Sequence, residues 1–174
     1  MKQEFYYQQM NKAQQNAYRA MLDGFESLSP EFPVLRLDGK ELSDIFFRLR
    51  LDHPAIFYVE GFHYRFARNS EYVQMIPEYM FEKKKIKEMK TALESRISRL
   101  VRQAEGMTPE EKEKYMHEFI CSNVTYDKLK KQYSHEIIGP LQQGIGVCEG
   151  IAKTVKILCD RLGLERSEEH TSEL

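Results

Sequence analysis

The segment from Gly144 to Gly163 constrains this chain more than any other. Gly144, Gly146 and Gly150 bracket Cys148, and Ile151, Ala152, Val155, Leu158, Cys159 and Leu162 then recur at i, i+1, i+4, i+7, i+8 and i+11. That spacing predicts a helix with one buried face, with Lys153, Lys156, Asp160 and Arg161 on the other side and Gly163 as its stop. Cys148 then stands at or near the first helical residue. A thiol placed there meets unpaired backbone N–H groups and the positive end of the helix dipole, which favour thiolate over thiol. The flanking glycines let the backbone turn tightly and leave room for another chain to approach the sulfur. The amide of Cys148 can also donate to a developing oxyanion. Because Cys148 is four, seven and eleven residues from Ala152, Val155 and Cys159, it is expected on the core-facing side. A Cys148–Cys159 disulfide is excluded, since eleven helical residues span about 16 Å, well beyond the roughly 7 Å Cα limit for such a bond.

Upstream, Tyr6, Met10, Ala13, Ala17, Met21 and Phe25 predict one amphipathic helix from about Glu4 to Ser27. Pro30 and Pro33 break it, FPVLRL gives a short extended run, Asp38-Gly39 turns the chain, and a second helix is expected over Glu41 to Leu51. Aromatic and β-branched residues then dominate. The alternation of Phe62, Tyr64 and Phe66 predicts a half-buried strand, Arg68-Asn69-Ser70 suits a hairpin turn, and a small antiparallel sheet follows. From Phe81 to Ala104 the stripe Ile86, Met89, Leu93, Ile97, Leu100, Val101 and Ala104 predicts a long helix that Gly106 ends. Thr108-Pro109-Glu110-Glu111 opens the next helix, to about Cys121, with a capping-box pattern.

At 174 residues, with 41% hydrophobic residues and a formal charge of −1, the chain is long enough to bury a core and shows no charge bias toward nucleic acid. No window reads as a membrane span and no signal peptide is visible, so a cytoplasmic location is expected, or export if Met1 is an internal start. The three cysteines fit a reducing compartment. The last nine residues, RSEEHTSEL, back-translate to DNA resembling a sequencing-library adapter, so His170 within them is assigned no role.

The run GVCEGIAKTVKILCDRLGL, preceded by KYMHEFICSNVTYD, resembles the transglutaminase-like superfamily as it occurs in bacterial proteins. There a short helix ending in a V-x-Y-D turn precedes a Gly-x-Cys-x-Gly helix start, and DHPAIFYV is similar to the N-terminal extension of many members. The resemblance implies an α+β, cysteine-proteinase-like fold missing its C-terminal sheet, with a helix-rich N-terminal extension over residues 1–105 and the front of the enzyme core over residues 106–165. It implies Cys148 as the nucleophile of a Cys-His-Asp enzyme that attacks a protein or peptide amide and forms a thioester, resolved by water or an amine. No cofactor or metal is expected, and protein or peptide is the expected partner rather than nucleic acid or membrane. The His and Asp of such an enzyme fall beyond Glu165, so this chain is expected to be inactive and its helix poorly covered, with Val155 and Leu158 exposed. The alternative is a non-catalytic module that keeps the fold.

The remaining residues have plainer readings. Cys121 and Cys159 are expected to be buried thiols, and His117 with Cys121 at i, i+4 has no second pair to complete a zinc site. His135 is read as a solvated histidine upstream of the motif. Gln142 and Gln143 are near enough to offer an oxyanion donor, and Lys83 to Lys85 form a solvated face.

Overall fold

Asn11 splits what the apolar spacing predicts as a single helix. In the computed structural model, which describes residues 4–164, α1 spans Phe5–Gln8 and α2 spans Lys12–Glu26. Asn11 is extended, its side chain accepts from the Gln14 N–H at 2.9 Å, and Gln14 returns the bond to the Asn11 N–H at 3.1 Å. A short amide side chain that binds its own backbone in this way favours a helix start over a helix interior.

The described chain divides into two compact units, Glu4–Ile86 and residues 87–164. In the first unit β1 (Phe32–Leu35) leads to α3 (Gly39–Asp52), where Asp38 acts as the N-cap by accepting from the N–H groups of Lys40 and Glu41. The hairpin of β2 (Val59–Phe66) and β3 (Tyr72–Tyr79) completes a small antiparallel sheet ordered β1-β3-β2. Its core gathers Tyr18, Met21, Phe25, Val34, Leu42, Ile45, Leu49, Tyr58 and Met75, all fully buried or nearly so. Helix α2 approaches β1 so closely that a Cβ on Gly24 would lie 2.3 Å from the Phe32 ring. The buried Asp52 carboxylate at the end of α3 accepts from the backbone N–H groups of Tyr6 and Tyr7 and from the Tyr18 hydroxyl, tying α1 to α3. The Arg19 guanidinium beside Glu4 holds that carboxyl below its usual range, against the opposing effect of partial burial, and His53 adds a further hydrogen bond.

The half-buried alternation expected for Phe62, Tyr64 and Phe66 is not observed, since Tyr64 is 37% and Phe66 60% exposed. Strand β2 is a sheet edge; the alternating burial belongs to the central strand β3, through Val73, Met75 and Pro77. The rings instead continue a ladder outward from Phe46, with centroids 5.4, 6.4 and 6.5 Å apart, that ends with the Arg36 guanidinium over Phe66.

In the second unit the main helices are α4 (Lys83–Gln103, which starts in the first unit), α5 (Pro109–Asn123) and α6 (Cys148–Leu162). The capping box forms as the sequence predicts, with Thr108 Oγ1 accepting from the Glu111 N–H and Glu111 accepting from the Thr108 N–H. Leu93, Ile97 and Leu100 from α4, Met116, Phe119 and Ile120 from α5, and Val155, Leu158, Cys159 and Leu162 from α6 are buried. Arg161 forks onto Glu94, and Lys112 donates to the Leu162 carbonyl at the C-terminus of α6, where a cation is favoured.

Val155 and Leu158, expected to be exposed, are instead buried, at 0% and 3% exposure, and Leu158 shares a small apolar cavity with Leu100 of α4 and Met116 and Phe119 of α5. Cys121 is also corrected, because it lies on the exposed side of α5 while Met116, Phe119 and Ile120 take the core positions. The described residues are thus mixed α and β, and no helix among them is long and apolar enough to cross a membrane.

Candidate active site around Cys148

Between α5 and α6 the chain makes few regular contacts with itself, and three devices hold it in place. The first is a two-residue parallel pairing of β4 (Thr125–Tyr126) with β5 (Ile145–Gly146), through Thr125 N–H to the Gly144 carbonyl at 2.8 Å and Asp127 N–H to the Gly146 carbonyl at 3.0 Å. This joins the V-x-Y-D turn to the glycine-bracketed cysteine, two stretches far apart in sequence. The second is Asp127, whose buried carboxylate accepts from the Ser134 hydroxyl at 2.5 Å and from the N–H groups of Lys131 at 2.8 Å and Leu129 at 3.0 Å. The Ser134 hydroxyl foremost, and then the two backbone donors, hold the Asp127 carboxyl below its usual range despite burial. That bond fixes a 3₁₀ turn over Gln132–His135, which a π-helical turn over Gly139–Gln143 follows.

The third device is Gly150. A Cβ there would lie 2.1 Å from the Ser134 carbonyl oxygen and 3.2 Å from that of Glu136, so this glycine lets the 134–136 backbone run against the first turn of α6. Ser134 also accepts from the Val147 N–H at 3.1 Å. The space beside these glycines is the space expected to admit another chain. At Gly150 and Gly146 the occupant is this chain itself: the Ser134 backbone and the Pro140 ring respectively.

Cys148 is the first residue of α6, as predicted. Its N-cap, Val147, has no side-chain acceptor to offer, so the leading N–H groups of the helix carry no side-chain cap. The thiol is exposed, which corrects the expectation of a core-facing sulfur. The reason lies in the first two turns, where Gly150 and Lys153 are buried against the 134–136 segment, while Ile151 and Ala152 of the apolar stripe are only half-buried. The loop, rather than the stripe, decides which side of this turn is covered, and Cys148 falls opposite.

Lys153 and Lys156, expected on a solvated face, are each 2% exposed. Lys156 pairs with Asp160 at 2.8 Å. Lys153 Nζ lies 3.0 Å from Glu136 Oε1 and 3.0 Å from Glu149 Oε1, while Glu149 Oε2 lies 3.1 Å from His135 Nδ1. His135 is therefore not merely solvated but half-exposed and bound to the residue that follows Cys148. The i, i+4 pairs Glu149–Lys153 and Lys156–Asp160 are legible as helix-surface pairs. Nothing in the sequence marks Glu136 as the partner of Lys153.

Of the other residues considered, Gln142 and Gln143 are exposed, and Cys121 Sγ lies 3.8 Å from the His117 ring nitrogens. Among the described residues no three metal-ligating side chains cluster. Cys159 is buried, its thiol donating to the Met116 sulfur at 3.6 Å. His170 and the tail lie outside the described residues. No family model matches this chain, and no curated protein matches it.

Proposed function

We propose that Cys148 is the nucleophile of a transglutaminase-like thiol enzyme that acts on protein or peptide amide bonds, by hydrolysis or acyl transfer. The observation that carries this reading is an exposed thiol on the first residue of a fifteen-residue helix whose N-cap supplies no competing acceptor. The parallel pairing of the V-x-Y-D turn with the strand leading into that helix supports it further, since it joins the two motifs on which the resemblance rests. In the reaction the sulfur anion adds to the amide carbonyl carbon, and the N–H groups at the start of α6 stabilise the oxyanion. The C–N bond then breaks, the amine leaves with a proton, and a thioester remains for water or an amine to resolve. The resemblance assigns proton transfer to a His held by an Asp from a sheet that follows the helix.

Cys121 is the natural comparator, because it too is exposed and lies on a helix, though near its C-terminal end. With limiting iodoacetamide at neutral pH, peptide mass spectrometry of the native protein is expected to show Cys148 modified at least about tenfold faster than Cys121, the advantage of a helix N-terminus over a thiol near a helix C-terminal end. Equal modification of the two would remove the enzyme reading and favour a non-catalytic module of the same fold.

A further inference from the structure

Strand β2 is the terminal strand of its sheet, and its stretch from His63 to Phe66 is exposed. Phe62, Tyr64 and Phe66 lie opposite Pro77, Met75 and Val73 of β3, so they share the face of the sheet that carries the core. Cover on that face stops at β3: Val73 and Met75 are buried, whereas Tyr64 and Phe66 stand exposed. The overhang leaves an open cleft of about 550 Å³, within the size of a ligand site, lined by Tyr64, Phe66, Arg36, and Asp38 and Glu41 at the start of α3. The Tyr64 hydroxyl packs against Gly39, where a Cβ would lie 2.7 Å from it, which joins the rings to the start of that helix.

Charge decides what this cleft accepts. Asp38 uses Oδ1 to cap α3, and Glu41 meets the neutral Gln14 amide at 3.5 Å; among the described residues neither carboxylate makes an ion pair. The Arg36 guanidinium is engaged with the carbonyls of Ala67, Arg68 and Ser70 and with the face of Phe66. On the opposite face of β2 the charges are matched, His63 with Glu78 and Arg65 with Glu31. The unmatched face suits a cation on a long apolar stem, with the stem on the rings and the head at the carboxylates. As a sheet edge, β2 also offers backbone N–H and C=O groups to an added strand. Its rings stand 6.4 and 6.5 Å apart, close to the spacing of alternate residues in an extended chain, so a peptide paired along β2 sets its own alternate side chains on this face. A second copy is the poorer occupant. Two β2 strands paired antiparallel about a twofold axis bring Phe62, Tyr64 and Phe66 of both copies to this face and add no cation to it.

We propose that the β2 edge and the cleft beside it bind an extended peptide segment of a partner protein, with an arginine or lysine laid over Tyr64 and Phe66 and its charge at Asp38 and Glu41. The site belongs to the first unit and stands whether or not Cys148 is a nucleophile.

The test is fluorescence anisotropy of the full chain with the fluorescein-labelled peptide Gly-Thr-Val-Arg-Val-Thr-Gly at low ionic strength, with amide NMR shifts expected to concentrate in β2 and the start of α3. Citrulline in place of the arginine keeps the shape and removes the charge; it is expected to weaken binding about fivefold, and glutamate there by more than about tenfold. D38N keeps the helix cap, because asparagine can accept the same backbone bonds. D38N/E41Q is expected to lower affinity for the arginine peptide about fivefold and to leave the citrulline peptide within about twofold. Equal affinity for the arginine and citrulline peptides overturns the proposal, as does undiminished binding of the arginine peptide to D38N/E41Q. Tighter binding of the glutamate peptide also overturns it and assigns the cleft to Arg36 and an acidic partner. Absence of binding at millimolar peptide overturns it too, and a dimer in sedimentation that F66D abolishes would then assign the edge to a second copy.

Discussion

Replacing Gly150 with alanine sets two physical effects against each other. Gly150 lies inside α6, where alanine is the better helix former by about 1 kcal/mol, so local propensity predicts stabilisation. Contact predicts the reverse. The new Cβ would sit 2.1 Å from the Ser134 carbonyl oxygen, 3.0 Å from its carbon and 3.2 Å from the Glu136 carbonyl oxygen, and backbone cannot rotate aside as a side chain does. Relief requires the 134–136 strip to move off α6 by about 1 Å, which breaks the Ser134 carbonyl bond to the Val147 N–H, at a cost of about 1–3 kcal/mol for a buried group left unsatisfied. It also loosens the buried Lys153–Glu136 pair, whose outright rupture costs about 3–5 kcal/mol. Partial loss of the pair, less the propensity gain, leaves a net destabilisation of about 3 kcal/mol. Because the two units need not unfold together, the probe must belong to the second one. Cys159 serves, being 1% exposed and able to react only when α6 opens. Its reaction with an aromatic disulfide under native conditions is expected to accelerate on the order of 100-fold in G150A. G163A is the control: Gly163 has φ of +71° and nothing within 4 Å of its would-be Cβ, so it costs only about 1 kcal/mol of left-handed strain. A G150A protein as stable as native, or less perturbed than G163A, would refute the contact argument.

Two further outcomes follow from the same loop. K153M, which removes the buried ammonium 3.0 Å from the Glu136 carboxylate, is expected to destabilise the second unit by about 3–5 kcal/mol, and K153M/E136M to recover most of that loss because that pair of charges is then gone. The Cys159 reaction measures both, and equal instability of the single and double variants would contradict it. Asp127 has a folded-state carboxyl held below its ordinary value, so its contribution is present above the usual carboxylate range and is lost as pH falls through the depressed folded value. Hydrogen exchange at the Leu129 and Lys131 amides, corrected for intrinsic rate, is expected to lose protection on acidification in the native protein and to lack that acid step in D127N. An identical pH profile in both proteins would show that the carboxylate does not organise the loop.

Much of the secondary structure is readable from local rules. The Thr108–Glu111 capping box, the hairpin turn near Asn69 and the start of α6 at Cys148 each depend on residues a few positions apart, and each forms, whereas Asp38-Gly39, expected as a turn, is the N-cap and first residue of α3. Asn11 carries an equally local cue, since its cap with Gln14 spans three residues, but the longer apolar stripe from Tyr6 to Phe25 masked it. The aromatic alternation of β2 misled for a different reason: its period is that of a strand, but strand order makes β2 an edge, and burial goes to the central strand.

At the site, a cysteine opening an amphipathic helix is legible in the chain's own residues, because helix periodicity and its glycine stop are properties of a single segment. Which way that helix faces depends on packing between distant segments. The apolar stripe predicted Cys148 inward and Lys153 outward. Close packing of the Ser134 backbone on Gly150 and the distant partner Glu136 bury Lys153 and leave the thiol exposed. A lysine is charged wherever it stands in a sequence, and its burial becomes tolerable only when a carboxylate from another part of the chain meets it.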